Sequence, residues 1–174
     1  MSKMFALVLL LLIGTPQNIS YAKSKLPTET QEPAQFFKVQ RIIDGDTFVL
    51  SNGEKIRLIG IDTPESRPNP KLYRDVKRTG QDSNAIIAMG KEATKFTRQL
   101  LEGKNVKVEF DVVPRDRYGR LLAYAYLEDG TFINAEIIKA GYAQVMTVPP
   151  NVKFQDLFLQ LQKAAREERK GLWK

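Results

Sequence analysis

The 174-residue chain contains no cysteine and no histidine. Without cysteine there is no disulfide framework, no thiolate nucleophile and no cysteine-ligated zinc. Without histidine the commonest general base and the commonest transition-metal ligand are missing too. An enzyme made from this chain must work with carboxylates, Arg, Lys, Tyr or a hard cation. Long apolar runs are scarce. The run Met4–Ile13 spans about ten residues, too short to cross roughly 30 Å of hydrocarbon as a helix.

That run has the form of an export signal. Lys3 precedes it, and the small residues Ser20 and Ala22 follow one position apart, as a signal peptidase site requires. We expect a signal peptide over residues 1–22 cleaved after Ala22, a polar leader over 23–35 with two prolines, and one folded domain over 36–174. The product is expected outside the cell, or in the periplasm where an outer membrane exists, with no stable membrane association.

Charge points to the partner. Lys and Arg total 27 against 20 Asp and Glu, a formal excess of +7 with a pI near 9.6. The excess is dispersed along the chain, which favours a folded basic surface over a disordered arm. Such a surface suits polyanions, either nucleic acid or anionic membrane.

Alternation and turn residues predict strands over Phe37–Ile43, Thr47–Leu50 and Lys55–Ile61, joined by Asp44-Gly45-Asp46 and by Ser51-Asn52-Gly53-Glu54. Pro64 ends the third strand. Residues 65–82 read as a long irregular loop with two prolines and a glycine. They carry Arg67, Lys71, Arg74, Lys77 and Arg78. Helical spacing follows from Ile86 to Leu101, then strands Val106–Val113 and Leu121–Leu127, a short helix Asn134–Ala140 and a final helix Val152–Glu168. Five strands with a helix between the third and fourth predict a mainly β fold with α-helices (α+β). Its core is a five-stranded Greek-key OB-fold barrel with about three helices.

Chemistry gathers in three short blocks. Asp44-Gly45-Asp46-Thr47 can be an ordinary turn. It is followed, however, by Arg57 on a strand and by Asp62-Thr63-Pro64-Glu65, two carboxylates bracketing a stiff turn. Asp46 and Asp62 offer hard oxygen ligands and the Thr63 carbonyl a third. That set suits Ca²⁺ or Mg²⁺. The loop Arg115-Asp116-Arg117-Tyr118-Gly119-Arg120 adds guanidinium to that of Arg57, enough to grip a phosphate bidentately.

These blocks, with Leu122-Ala123-Tyr124 after the third, resemble the three signature blocks of the staphylococcal nuclease (thermonuclease) family, in its order and at about its spacing. The similarity runs from about Phe37 to Trp173. It implies a Ca²⁺ ion held by the Asp46 and Asp62 carboxylates and the Thr63 carbonyl, with Asp44 beside the metal. It also implies Glu65 as the residue that orients or deprotonates the attacking water, and Arg57 and Arg120 as the phosphate-binding, transition-state-stabilising pair. Arg117 and Tyr118 match positions lining the nucleotide site, where the family more usually has Lys at the first. The function implied is an exported, Ca²⁺-dependent, monomeric endonuclease. It would act on DNA and RNA without regard to the sugar and leave 3′-phosphates. The competing reading is a barrel that binds nucleic acid without cutting it. Two departures stand out. Val145–Pro150 has no aromatic where the best-known members place tyrosines, and the loop after Glu65 is longer and more basic than in the shortest members, with Arg67, Lys71, Arg74, Lys77 and Arg78 expected to contact the backbone of a nucleic-acid strand.

Overall fold

The computed structural model describes residues 35–174. The expected signal segment and nearly all of the leader lie outside the described residues. In chain order the elements are β1 (Phe37–Asp44), β2 (Thr47–Leu50), β3 (Lys55–Leu58), β4 (Gly60–Asp62), α1 (Pro70–Thr79), α2 (Ser83–Leu101), β5 (Asn105–Glu109), β6 (Leu121–Leu127), α3 (Ile133–Lys139), β7 (Gln144–Met146) and α4 (Gln155–Glu167), followed by a 3₁₀ turn at Gly171–Trp173.

Five strands close into a barrel in the order β1-β2-β3-β6-β5, as expected of an OB-fold. Closure comes from β1 pairing with β5 and from the parallel pairing of β3 with β6. Irregularities in β1 at Val39–Arg41 and Ile42–Asp44 bend that strand round the barrel. Phe48, Leu50, Ile56, Leu58, Val106, Ala123 and Ala125 belong to one buried core. On the opposite face of β6, Tyr124 packs edge-on to Phe154 at 4.6 Å between ring centres. That contact ties α4 to the barrel.

Three features differ from the sequence reading. The expected third strand breaks at Ile59. Gly60 has φ of +78°, and a Cβ there would lie 2.6 Å from the Phe158 ring, so only glycine fits the kink. Beyond it β4 leaves the barrel and pairs with β7, which the sequence reading missed. The buried Asn134 amide bridges the break, donating to the Ile59 carbonyl and accepting from Ala125 N–H. The fourth barrel strand stops at Glu109 instead of Val113. Its continuation is anchored on Asp111, whose carboxylate accepts from Tyr124 Oη and the Lys153 and Val112 amides. Finally, the basic segment after Glu65 is helical. Asn69 caps α1 by accepting from Leu72 N–H at 2.9 Å, Pro70 opens it, and Gly80 closes it at φ of +70°. Among the described residues the α-helices thus number four, close to the three or so expected.

Candidate active site

The two acidic turns are clamped to each other. The Asp46 Oδ2 atom accepts from Thr63 N–H at 2.9 Å and from the Thr63 hydroxyl at 3.0 Å. The turns approach closely because Gly45 has no side chain, since a Cβ there would lie 2.7 Å from Thr63 Oγ1. Helix α2 backs both turns. Thr97 donates to the Gly45 carbonyl at 2.7 Å, and Gly90 lies so close to the Glu65 backbone that a Cβ would come within 2.3 Å of its carbonyl oxygen. Barrel and helix therefore hold this acidic floor from two sides.

Arg57 rises from β3 into the floor and is 9% exposed. Its Nη1 donates to the carbonyls of Leu58 and Ile61, at 3.0 and 2.8 Å, and its Nη2 to Asp62 Oδ1 at 3.0 Å. Asp46 Oδ2 is 3.3 Å away. Three of the five guanidinium N–H groups are thus spent on holding the group still. The remainder can serve a ligand.

Lys71, in the first turn of α1, enters the same floor, where the sequence reading had it contacting a nucleic-acid strand. Its ammonium lies 2.9 Å from Glu65 Oε1, 3.1 Å from Asp62 Oδ2, 3.4 Å from Asp75 Oδ2 and 3.3 Å from the Thr63 carbonyl oxygen. Asn69 donates to the other Glu65 oxygen. Burial by itself would push the Lys71 ammonium down, but the Asp62 charge and the Glu65 contact outweigh it and hold the group above the usual lysine range. Burial, then the Asp46 charge, pushes Asp62 up against the pull of Lys71 and Arg57. The Asp44 carboxyl is pushed up to about 7 by burial first and then by Asp46 and Glu65.

The floor opens into a cleft of about 1050 Å³, lined by Asp44, Asp46, Arg57, Asp62, Glu65 and Lys71 and on its other side by Arg115, Arg117, Tyr118 and Arg120. Asp116 shapes this second side. Its Oδ1 accepts from Tyr118 and Arg120 N–H, and its Oδ2 from Arg120 Nε at 2.7 Å. Those bonds hold Asp116 below the usual carboxylate range in spite of partial burial. The Arg120 terminal nitrogens have no hydrogen-bond partner among the described residues. Tyr118 is 68% exposed, with Arg117 over its ring at 4.8 Å and Arg120 at 5.6 Å.

All eight candidate residues, Asp46, Arg57, Asp62, Thr63, Glu65, Arg117, Tyr118 and Arg120, thus fall on one cleft or, for Thr63, in its floor. A family model for staphylococcal nuclease homologues matches residues 55–174. The chain belongs to the staphylococcal nuclease family. Among its relatives, the thermonuclease of Staphylococcus intermedius is 35% identical over 150 residues, covering 84% of this chain and 80% of that protein. The thermonuclease of Staphylococcus hyicus is 37% identical over 143 residues, covering 80% and 76%. Endonuclease YncB of Bacillus subtilis is 33% identical over 140 residues, covering 78% and 60%.

As in any member of the staphylococcal nuclease family, a divalent cation must be weighed against the groups present. Asp62, Glu65 and Asp75 oxygens and the Thr63 carbonyl converge on one point that already holds a positive charge, and every donor is a hard oxygen. The donor chemistry fits. The spacing is that of an ammonium, 2.9–3.4 Å, wider than the roughly 2.3–2.6 Å of Ca²⁺. Among the described residues no three acidic side chains are gathered tightly enough to cage a metal. Asp46 stands beside this point and spends its oxygens on Thr47, Thr63 and Arg57.

The sequence reading missed Asn69, Asp75 and Asp116, and it misplaced Lys71. The cue for the first two and for Lys71 was the Asn-Pro pair at 69–70 with Gly80 beyond, the start and stop of a helix that places Lys71 and Asp75 on one face.

Proposed function

We propose that this chain is an exported, Ca²⁺-dependent, monomeric phosphodiesterase that hydrolyses DNA and RNA to 3′-phosphate products. One observation carries the reading: a buried floor of carboxylates with Arg57 faces Arg120 and Tyr118 across a single cleft. In-line attack at a phosphodiester needs positive charge at the equatorial oxygens and a positioned water. Arg57, held by carbonyls, and Arg120, held by Asp116, supply fixed guanidiniums for the first need. Asp62, the Thr63 carbonyl and the adjacent Asp46 would hold the cation. Ca²⁺, when bound there, supplies further positive charge against the phosphate oxygens. Glu65 is 9% exposed and can orient a water and take its proton without histidine. Tyr118 and Arg117 offer an exposed ring and charge to the nucleotide, and the departure at Val145–Pro150 leaves Met146 and Val148 exposed where stacking aromatics are absent.

The test is cleavage of denatured DNA and of RNA by the chain from residue 23 onward, in Ca²⁺, in Mg²⁺ and in chelator, beside Glu65→Ser and Arg120→Ala. Ca²⁺-dependent cutting of both polymers, lost in chelator and crippled in both variants, is the expected result. Retained binding with no cleavage in any metal would make the protein a nucleic-acid-binding barrel instead.

A further inference from the structure

Lys71 is in an unfavourable place for a lysine unless the pocket draws it there. The N-terminal turn of a helix repels cations. The order Lys71 then Asp75, four residues on, is also the less favourable sense of a helical ion pair. Four oxygens nevertheless converge on its ammonium, and the side chain is only 28% exposed. Two of those oxygens, from Asp62 and the Thr63 carbonyl, belong to the proposed cation seat, and a third comes from Glu65, the proposed base.

We infer that Lys71 competes with the divalent cation for this seat and so sets the protein's affinity for it. An ammonium and a divalent ion cannot share one oxygen set, because their preferred distances differ and their charges repel. Cation binding therefore requires the Lys71 side chain to leave Asp62, Glu65 and the Thr63 carbonyl for the solvent side of α1. The four-carbon stem allows that swing without unwinding the helix. The inference rests on the proposed cation site, and the experiment separates the two.

Calorimetric titration of Ca²⁺ into the chain from residue 23 onward, without nucleic acid, is compared among wild type, Lys71→Met, Lys71→Gln and Lys77→Met. Lys77 lies on the same helix, exposed, and its removal deletes the same charge outside the floor. We expect Ca²⁺ to bind at least about tenfold more tightly to both Lys71 variants, and within about threefold of wild type to Lys77→Met, because an exposed charge is screened. Without Ca²⁺ the Lys71 variants melt below wild type, since their carboxylates lose a counterion, and Ca²⁺ more than restores them. In the wild-type chain, the ¹⁵N ammonium resonance of Lys71, protected by its carboxylates, is lost on saturation with Ca²⁺. That last readout needs no variant to fold. Equal Ca²⁺ affinity in wild type and Lys71 variants, or weaker binding in the variants, overturns the competition and leaves the cation site standing. No Ca²⁺ binding to any of the four overturns both.

Discussion

The floor of the cleft and its rim use the same side chains, carboxylates and guanidiniums, in opposite physical settings. On the floor, Asp46 and Arg57 are buried, and each charged group answers to several partners at once: Arg57 to two carbonyls and two carboxylates, Lys71 to four oxygens. On the rim, Arg120 answers to Asp116 and the Tyr118 ring, Arg115 to Glu54 and the Gly119 carbonyl, and Arg117 to the hydroxyl and ring of its exposed neighbour Tyr118. A buried ion pair is costly to break because the remaining charge has no water to turn to. A rim pair is worth little because water and salt replace it. On the proposed function, what catalysis needs separates from what folding needs, since Arg57 would serve both and Arg120 only the first.

That separation gives the largest expected effects. Arg57→Ala should lower kcat by about 10²–10³, the range for losing one preorganised donor, roughly 2.7–4 kcal/mol. It should also destabilise the fold by about 3–5 kcal/mol, because Asp46 and Asp62 are left facing each other in the floor. Arg120→Ala should lose as much activity and about 1 kcal/mol or less of stability. Turnover and urea unfolding measured on both variants settle it. Equal stability losses would erase the distinction between floor and rim, and activity losses below tenfold at both positions would remove their proposed roles.

The rim and floor were not equally legible in the sequence. The barrel strands carry alternation and turn chemistry that survive without tertiary context, and the carboxylate and Arg blocks lie in contiguous motifs. What escaped notice depends on contacts between distant segments. Gly60 kinks because Phe158, from α4, occupies the space of its Cβ, so the strand broke where local pattern read it as continuous. Local pattern reads α1 as loop because Pro68, Pro70 and the run of charges mask it, although Asn69, Pro70 and Gly80 are start and stop signals in the right order. Lys71 was one basic residue among five in that segment. Only the placement of α1 against the Asp62–Glu65 turn turns it inward while Arg74, Lys77 and Arg78 remain exposed.

A smaller effect concerns Asp44, whose charge is the one the floor accommodates least. The unfolded chain loses its Asp44 proton near the ordinary carboxylate value of about 3.9. The folded chain keeps it up to about 7, because burial and the charges of Asp46 and Glu65 oppose ionisation. Between those values the native state binds the extra proton, so stability falls as pH rises through this window and stays low above it. Asp44→Asn removes the penalty while still accepting from Gly45 N–H. Its melting temperature should match wild type at pH 4 and exceed it at pH 8 by about 2–4 °C, about 1 kcal/mol after allowing for partial exposure. The same difference at both pH values would mean that Asp44 is no more strained than a rim carboxylate.

The smallest effect tests whether the rim extends along α1. Arg74 and Arg78 line the cleft, and Arg74, Lys77 and Arg78 are exposed on a helix whose inner side holds Lys71 and Leu72 against the body of the protein. Arg78 keeps only its pair with Asp75, at 3.0 Å. Exposed cations of this kind contribute to nucleic-acid binding by releasing counterions from phosphates, a contribution that depends on salt and hardly at all on sequence. Replacing all three by Gln should flatten the plot of log affinity for single-stranded DNA against log salt by about 0.7 for each phosphate that is no longer neutralised. Turnover at saturating substrate should hold, because none of the three touches Arg57, Glu65 or Arg120. An unchanged slope would confine the nucleic-acid surface to the Arg115–Arg120 side and return the outer face of α1 to ordinary solvated helix.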